Sequence, residues 1–143
     1  MAPTIIYLAG PIHGCSDQEC HGWRQTLEQL TSPRIEFLNP LRRDYRGREE
    51  GNEGQIVAGD LQDIRKSDLV VARLERPSWG TAMELFAAHI YRVPVWGIHP
   101  EGPRSPWLTA FVSRFFPDTE RVAAAINTNW WLLATPPAWS GPR

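Results

Sequence analysis

The sequence predicts an α/β fold: a central parallel sheet of four to five strands with helices on both faces. Two observations carry this. Short β-branched, apolar runs alternate along the chain with longer amphipathic segments. Those runs are apolar at consecutive positions, as in strands covered on both sides. The length of 143 residues fits one domain, with a core over about 4–127 and a tail over 128–143.

Thr4 to Ala9 (TIIYLA) reads as the first strand, stopped by Gly10-Pro11. Capping residues at Gly14-Cys15-Ser16-Asp17 then open a helix over roughly 17–31, with Trp23, Leu27 and Leu30 at helical spacing, and Pro33 ends it. Ile35 to Leu38 is a short strand closed by Asn39-Pro40. Residues 40–54 are charged and glycine-bearing and predict a long exposed loop. A helix over Ile56 to Ser67 has its apolar face at 56, 57, 61 and 64 and carries Asp60 and Asp63. Asp68 to Leu74 is the third strand, and Glu75 to Gly80 a loop. A helix runs from Thr81, and Pro94 starts the strand Val95–Ile98. Pro106 can open a short helix. Ala110–Phe116 is compatible with that helix or with a fifth, edge strand, and Asp118–Asn127 is a helix. The tail, with Trp130, Trp131 and Trp139, packs on a neighbour or ends frayed.

Fifteen Lys and Arg against sixteen Asp and Glu leave a net charge of −1, which argues against a protein that coats nucleic acid polymers. No apolar run reaches the roughly 20 residues that cross a bilayer, and the start of the chain lacks the pattern of a signal peptide. The expectation is a soluble, cytoplasmic protein without a membrane partner. Cys15 and Cys20, flanked by His13 and His21, match neither usual zinc spacing and read as free thiols near a loop. Neither a P-loop nor a G-x-G-x-x-G dinucleotide motif is present, so no cofactor is expected.

In open α/β sheets, ligands bind at the carboxyl ends of the strands. The loops there span 10–16, 39–54, 74–80 and 99–105. Gly10-Pro11 lets the backbone approach a ligand closely. Ser78 and Gly80-Thr81 lie at a helix N-terminus, a natural anion site. Glu84 follows one turn later in an apolar stretch, where a carboxylate is costly unless it is hydrogen-bonded or functional. For Asp60 and Glu84 alone, solvated helix positions are as good a reading as a functional pair.

Tyr7-Leu8-Ala9-Gly10-Pro11, Asp60, Ser67-Asp68-Leu69-Val70-Val71-Ala72 and Gly80-Thr81-Ala82-Met83-Glu84-Leu85 together resemble the nucleoside 2-deoxyribosyltransferase superfamily, which includes nucleotide N-hydrolases. The resemblance covers about residues 4–110. It implies a flavodoxin-like three-layer fold, cleavage of the N-glycosidic bond of a small nucleoside or nucleotide, no metal, and a homodimer or larger homo-oligomer. Carried over by position, Glu84 would be the nucleophile, Tyr7 would orient it, and Asp60 would manage the proton of the departing base. Gly10, Pro11, His13, Ser78, Trp79, Gly80 and Ser105 would contact substrate. Trp79 is open to stacking on a base or to a lid contact.

Six residues before the nucleophile, transferases of the superfamily typically place Asp, and nucleotide hydrolases place Ser against the 5′-phosphate. Here that residue is Ser78, and Ser105 likewise matches the hydrolases. The first loop departs from them, with Pro11 and His13 where Ser and Arg can stand. Arg42, Arg43, Arg46 and Arg48 could reach in from the long loop, but Asp44, Glu49, Glu50 and Glu53 beside them favour a solvated charge cluster. The resulting expectation is a retaining nucleotide N-glycosidase working through a glycosyl-Glu intermediate. A deoxyribosyltransferase is the first alternative and a non-catalytic nucleotide sensor the second.

Overall fold

The computed structural model describes residues 3–128 together with Trp139 and Gly141. Five strands, β1 (Thr4–Ala9), β2 (Ile35–Leu38), β3 (Leu69–Arg73), β4 (Val95–Ile98) and β5 (Arg114–Phe116), form one sheet in the order β2-β1-β3-β4-β5. Every pairing is parallel. This is the flavodoxin-like order, whose direction reverses between β1 and β3 and opens a crevice at their carboxyl ends. Asp68 ties these two strands together at the opposite end. Its backbone N–H donates to the Ile5 carbonyl, and its carboxylate accepts from the Ile5 N–H, both at 2.8 Å.

Helices α1 (Asp17–Leu30) and α5 (Thr119–Asn127) cover one face; α2 (Glu53–Arg65), α3 (Trp79–Ile90) and α4 (Pro106–Phe111) cover the other. Side chains alternate across a strand. Ile6, Leu8, Leu69, Val71, Trp96 and Ile98 therefore enter the α1/α5 core with Trp23, Leu27 and Val122. Tyr7, Ala9, Val70, Ala72 and Val95 face the other way, toward Ile64, Leu85 and Ala88. Helix starts follow local chemistry. Ser16 and Glu19 form a reciprocal capping box, and Ser78, Ser105 and Asp118 each accept a backbone N–H at the starts of α3, α4 and α5.

Several sequence expectations shift. α3 begins at Trp79, so Gly80 lies in its first turn and not in the preceding loop. The 40–54 segment is not a plain loop: Pro40–Arg43 is a 3-10 turn capped by Asn39, whose side chain accepts from the Leu41 N–H. Both readings of 110–116 hold in part, with α4 ending at Phe111 and β5 starting at Arg114. The buried stripe of α1 is Cys20, Trp23, Arg24 and Leu27, while Leu30 is exposed. The expected apolar face of α2 is also rotated: Asp63 and Ile64 are buried and Val57 is 54% exposed. Trp139 stacks on His89 and meets Phe111 edge-on, whereas Trp130 and Trp131 lie outside the described residues. Among the described residues, no helix is long and apolar enough to cross a membrane.

Candidate active site

A cavity of about 230 Å³ opens at the carboxyl ends of β1 and β3, lined among others by Gly10, His13, Asp60, Ser78, Gly80, Thr81 and Glu84. Each of its walls follows from a local feature. β1 runs out at Gly10, where a Cβ would lie 2.8 Å from Trp23 Cζ2 and 3.3 Å from Arg24 Nη2. The glycine is thus demanded by α1 behind the strand, a different reason from the ligand approach expected of it. Ser78 starts α3, and its Oγ accepts the Thr81 N–H at 3.3 Å, which leaves its own proton free to donate. One turn on, Glu84 is carried to the floor of the cavity.

The Tyr7 hydroxyl donates to Glu84 Oε2. Tyr7 is fully buried, and Glu84 keeps only a partly exposed edge. Burial pushes the Glu84 carboxyl up to about 8; the nearby Asp60 charge adds to this, while the Tyr7 hydrogen bond and Arg24 oppose it. Burial, and then the charge of Glu84, push the Tyr7 phenol far above its ordinary range, so it remains a hydrogen-bond donor. Asp60 is also raised by burial, against the pull of Arg43. The site therefore holds two carboxyls that burial shifts above their ordinary ranges, beside a neutral phenol.

Of the arginines of the 40s, Arg46 pairs with its neighbour Asp44 and Arg48 is exposed, as in a solvated cluster, but Arg42 and Arg43 are not part of one. Arg42 and Arg43 converge on the buried Asp63 at 2.7 and 2.8 Å, and Arg43 also reaches Asp60 Oδ1 at 3.2 Å. Burial works to raise the Asp63 carboxyl, but the hydrogen bonds from Arg42 and Arg43 outweigh it and hold it below the usual range. Arg46 lines the cavity, paired with Asp44 at 2.7 Å. The partners of Arg42 and Arg43 are thus distant in sequence, on α2. Only Asp44 of the four expected neighbours takes part in these pairs.

Not every expected contact shares the cavity. Pro11 lines a separate cleft with Cys15, Glu19 and Arg76. Trp79 and Ser105 line a neighbouring apolar cleft with Trp107 and Leu108, which Ser78 and Thr81 also border. Trp79 is 87% exposed, and the Ser105 hydroxyl accepts the Trp107 N–H. Sequence reasoning passed over Arg24, Arg43 as a partner of Asp60, and Tyr45 on the cavity wall. For Arg24 a signal existed: it lies four residues after Cys20 and three before Leu27, on the inward stripe of α1. Both cysteines are free thiols, and among the described residues no group of His, Cys, Asp and Glu could hold a metal ion.

A family model described as nucleoside 2-deoxyribosyltransferase matches residues 6–105. No curated protein matches the chain. Among solved structures, a 2-deoxyribosyltransferase from Bacillus psychrosaccharolyticus is similar with a TM-score of 0.71 at 23% identity, covering 95% of this chain and 100% of that one. A conserved protein from Enterococcus faecalis V583 has a TM-score of 0.69 at 19% identity, covering 87% and 98%. A CMP N-glycosidase from Clostridium botulinum has a TM-score of 0.57 at 15% identity, covering 87% and 99%. At these identities the likeness is one of fold.

Proposed function

The chain belongs to the nucleoside 2-deoxyribosyltransferase family, and from that premise we propose that it cleaves the N-glycosidic bond of a nucleoside 5′-monophosphate with retention, releasing the free base. The observation that carries this reading is the hydrogen bond from the Tyr7 hydroxyl to Glu84 on the floor of a cavity that Asp60 also lines. Once ionised, one Glu84 oxygen attacks the anomeric carbon as the bond to the base breaks and its electron pair leaves with the base. The transition state resembles an oxocarbenium ion, which a carboxylate beneath it stabilises. Asp60, which burial shifts upward against the pull of Arg43, is the group placed to pass a proton to the departing base. Arg43 donates to Oδ1 alone of its two oxygens. Water then attacks the anomeric carbon of the glycosyl ester, giving its proton to Asp60 and returning the Glu84 carboxylate, and the two inversions give retention.

Ser78 favours a phosphate at the far end of the sugar. Its free O–H and the N-terminus of α3 both donate toward the cavity rim, where a carboxylate would repel a dianion. His13 and Arg46 border the same space. A second reading, transfer of deoxyribose between bases, draws support from the family description and from Asp44 and Glu49 on the cavity wall, which suit an uncharged nucleoside better than a phosphate. We also propose that the protein works as a homo-oligomer that covers Met83 and Phe86 on α3, which are 69% and 45% exposed.

Incubation with deoxynucleoside monophosphates, CMP and deoxynucleosides, with and without an acceptor base, separates the readings. Base release from a monophosphate without an acceptor is the expected result. Release only from free nucleosides, and only with an acceptor present, would overturn the hydrolase in favour of the transferase.

A further inference from the structure

Arg24 is the only arginine buried to 0% among the described residues, and it forms no ion pair with them. Its guanidinium lies behind the end of β1, on the face opposite the cavity. Nη1 donates to the Cys20 carbonyl at 2.6 Å, and Nη2 donates to the Gly10 and Leu8 carbonyls at 3.2 and 3.4 Å. The Trp23 ring lies 4.7 Å from its Cζ, and Nε has no hydrogen-bond partner. A buried charge served only by carbonyls and a ring is costly unless an opposite charge lies close by. Two of the three carbonyls it grips belong to Leu8, the residue after Tyr7, and to Gly10, which lines the cavity.

We propose that Arg24 is a positioning residue: it fixes the β1 terminus that carries Tyr7 and Gly10, and its buried positive charge is the counter-charge of Glu84 across the strand. The inference rests on Glu84 being the nucleophile. Ionisable groups face Glu84 from three elements: Tyr7 from β1, Asp60 from α2 with its partner Arg43 behind it, and Arg24 from α1. Arg24 alone of those acting on Glu84 directly is a cation. Burial works to lower the Arg24 guanidinium, and the charge of Glu84 is the foremost influence that resists it. Glu84 therefore ionises more easily with Arg24 present than without it.

The test is the pH profile of kcat/KM for base release by Arg24→Met and Arg24→Lys, with thermal melts at pH 5 and pH 8. Arg24→Met should move the acidic limb up by about one pH unit, lowering kcat roughly tenfold at pH 7 with KM little changed. Arg24→Lys, which keeps the charge, should return most of that shift. A folded Arg24→Met enzyme with the wild-type profile overturns the inference. If Arg24→Met does not fold at pH 8, the double variant Arg24→Met/Glu84→Gln, which buries neither charge, should fold. If the double variant is unfolded too, the guanidinium serves packing alone and the inference falls. Full activity of Glu84→Gln by itself would instead sink the nucleophile assignment, whatever Arg24 does.

Discussion

On the α1/α5 side of the sheet, the strand residues turned inward are apolar and sealed beneath helices, from Ile6 and Leu8 to Trp96 and Ile98. On the α2/α3 side, the same strands present Tyr7 to Glu84, α2 buries Asp63, and Val57 and Met83 remain open to solvent. One face spends its side chains on stability. The other keeps ionisable groups around a cavity, where burial shifts their titration at the expense of stability. Arg24 links the two: it is rooted in the sealed face and grips the strand end that feeds the open one.

The contrast can be broken most forcefully at Glu84. Glu84→Gln should cut kcat/KM by about 10⁴-fold, since it deletes the oxygen we propose as the attacking group. It should also stabilise the protein at alkaline pH. The folded carboxyl titrates near 8 against 4.5 when unfolded, so the wild type loses stability as pH rises between those values. The unfolding free energy of the Gln variant should therefore gain on that of the wild type across that interval, by no more than about 1.4 kcal/mol per pH unit. A variant that is less stable at pH 8 would contradict the assignment of a strained, buried carboxyl.

The opposite outcome belongs to the sealed face. Trp96→Ala should cost about 3–5 kcal/mol of stability by chemical denaturation. Assayed well below its lowered melting point, the folded fraction should keep a near-normal KM and pH profile. A changed acidic limb there would mean that the two faces are not separable.

Tyr7→Phe is the finer probe, because it leaves the core volume almost unchanged and removes one hydroxyl. The hydrogen bond it deletes holds the Glu84 carboxyl down. The acidic limb should move to higher pH by about one unit, with roughly tenfold lower activity at pH 7 and recovery in alkaline buffer. An unshifted limb in a rate profile of the folded variant would remove the phenol from the tuning of Glu84.

Much of this was legible before any coordinates. The strands were readable because β-branched runs such as TIIYLA are apolar without a break, which suits both faces of a covered sheet. Glu84 stands out because an acid in an apolar helix needs a reason, and Tyr7 because it lies near the end of the first strand. The salt-linked arrangement of the 40s was not readable. Arg42 and Arg43 have acidic neighbours in sequence, yet they bind Asp60 and Asp63 on α2. Nearest-neighbour charge counting cannot see a partner that only chain folding brings close.

What local sequence determined, then, is the order of elements and the strand ends where a ligand could sit. These depend on periodicity and on residue chemistry, both of which act over a few positions, whereas Tyr7, Asp60 and Glu84 were singled out as a set by the family resemblance. Tertiary structure alone decided which face of α1 and of α2 points inward, that Gly10 is required by Trp23 behind it, and that a buried guanidinium holds the Gly10 carbonyl. Those outcomes depend on distances between groups far apart in the chain, and burial sets how strongly such groups act on one another.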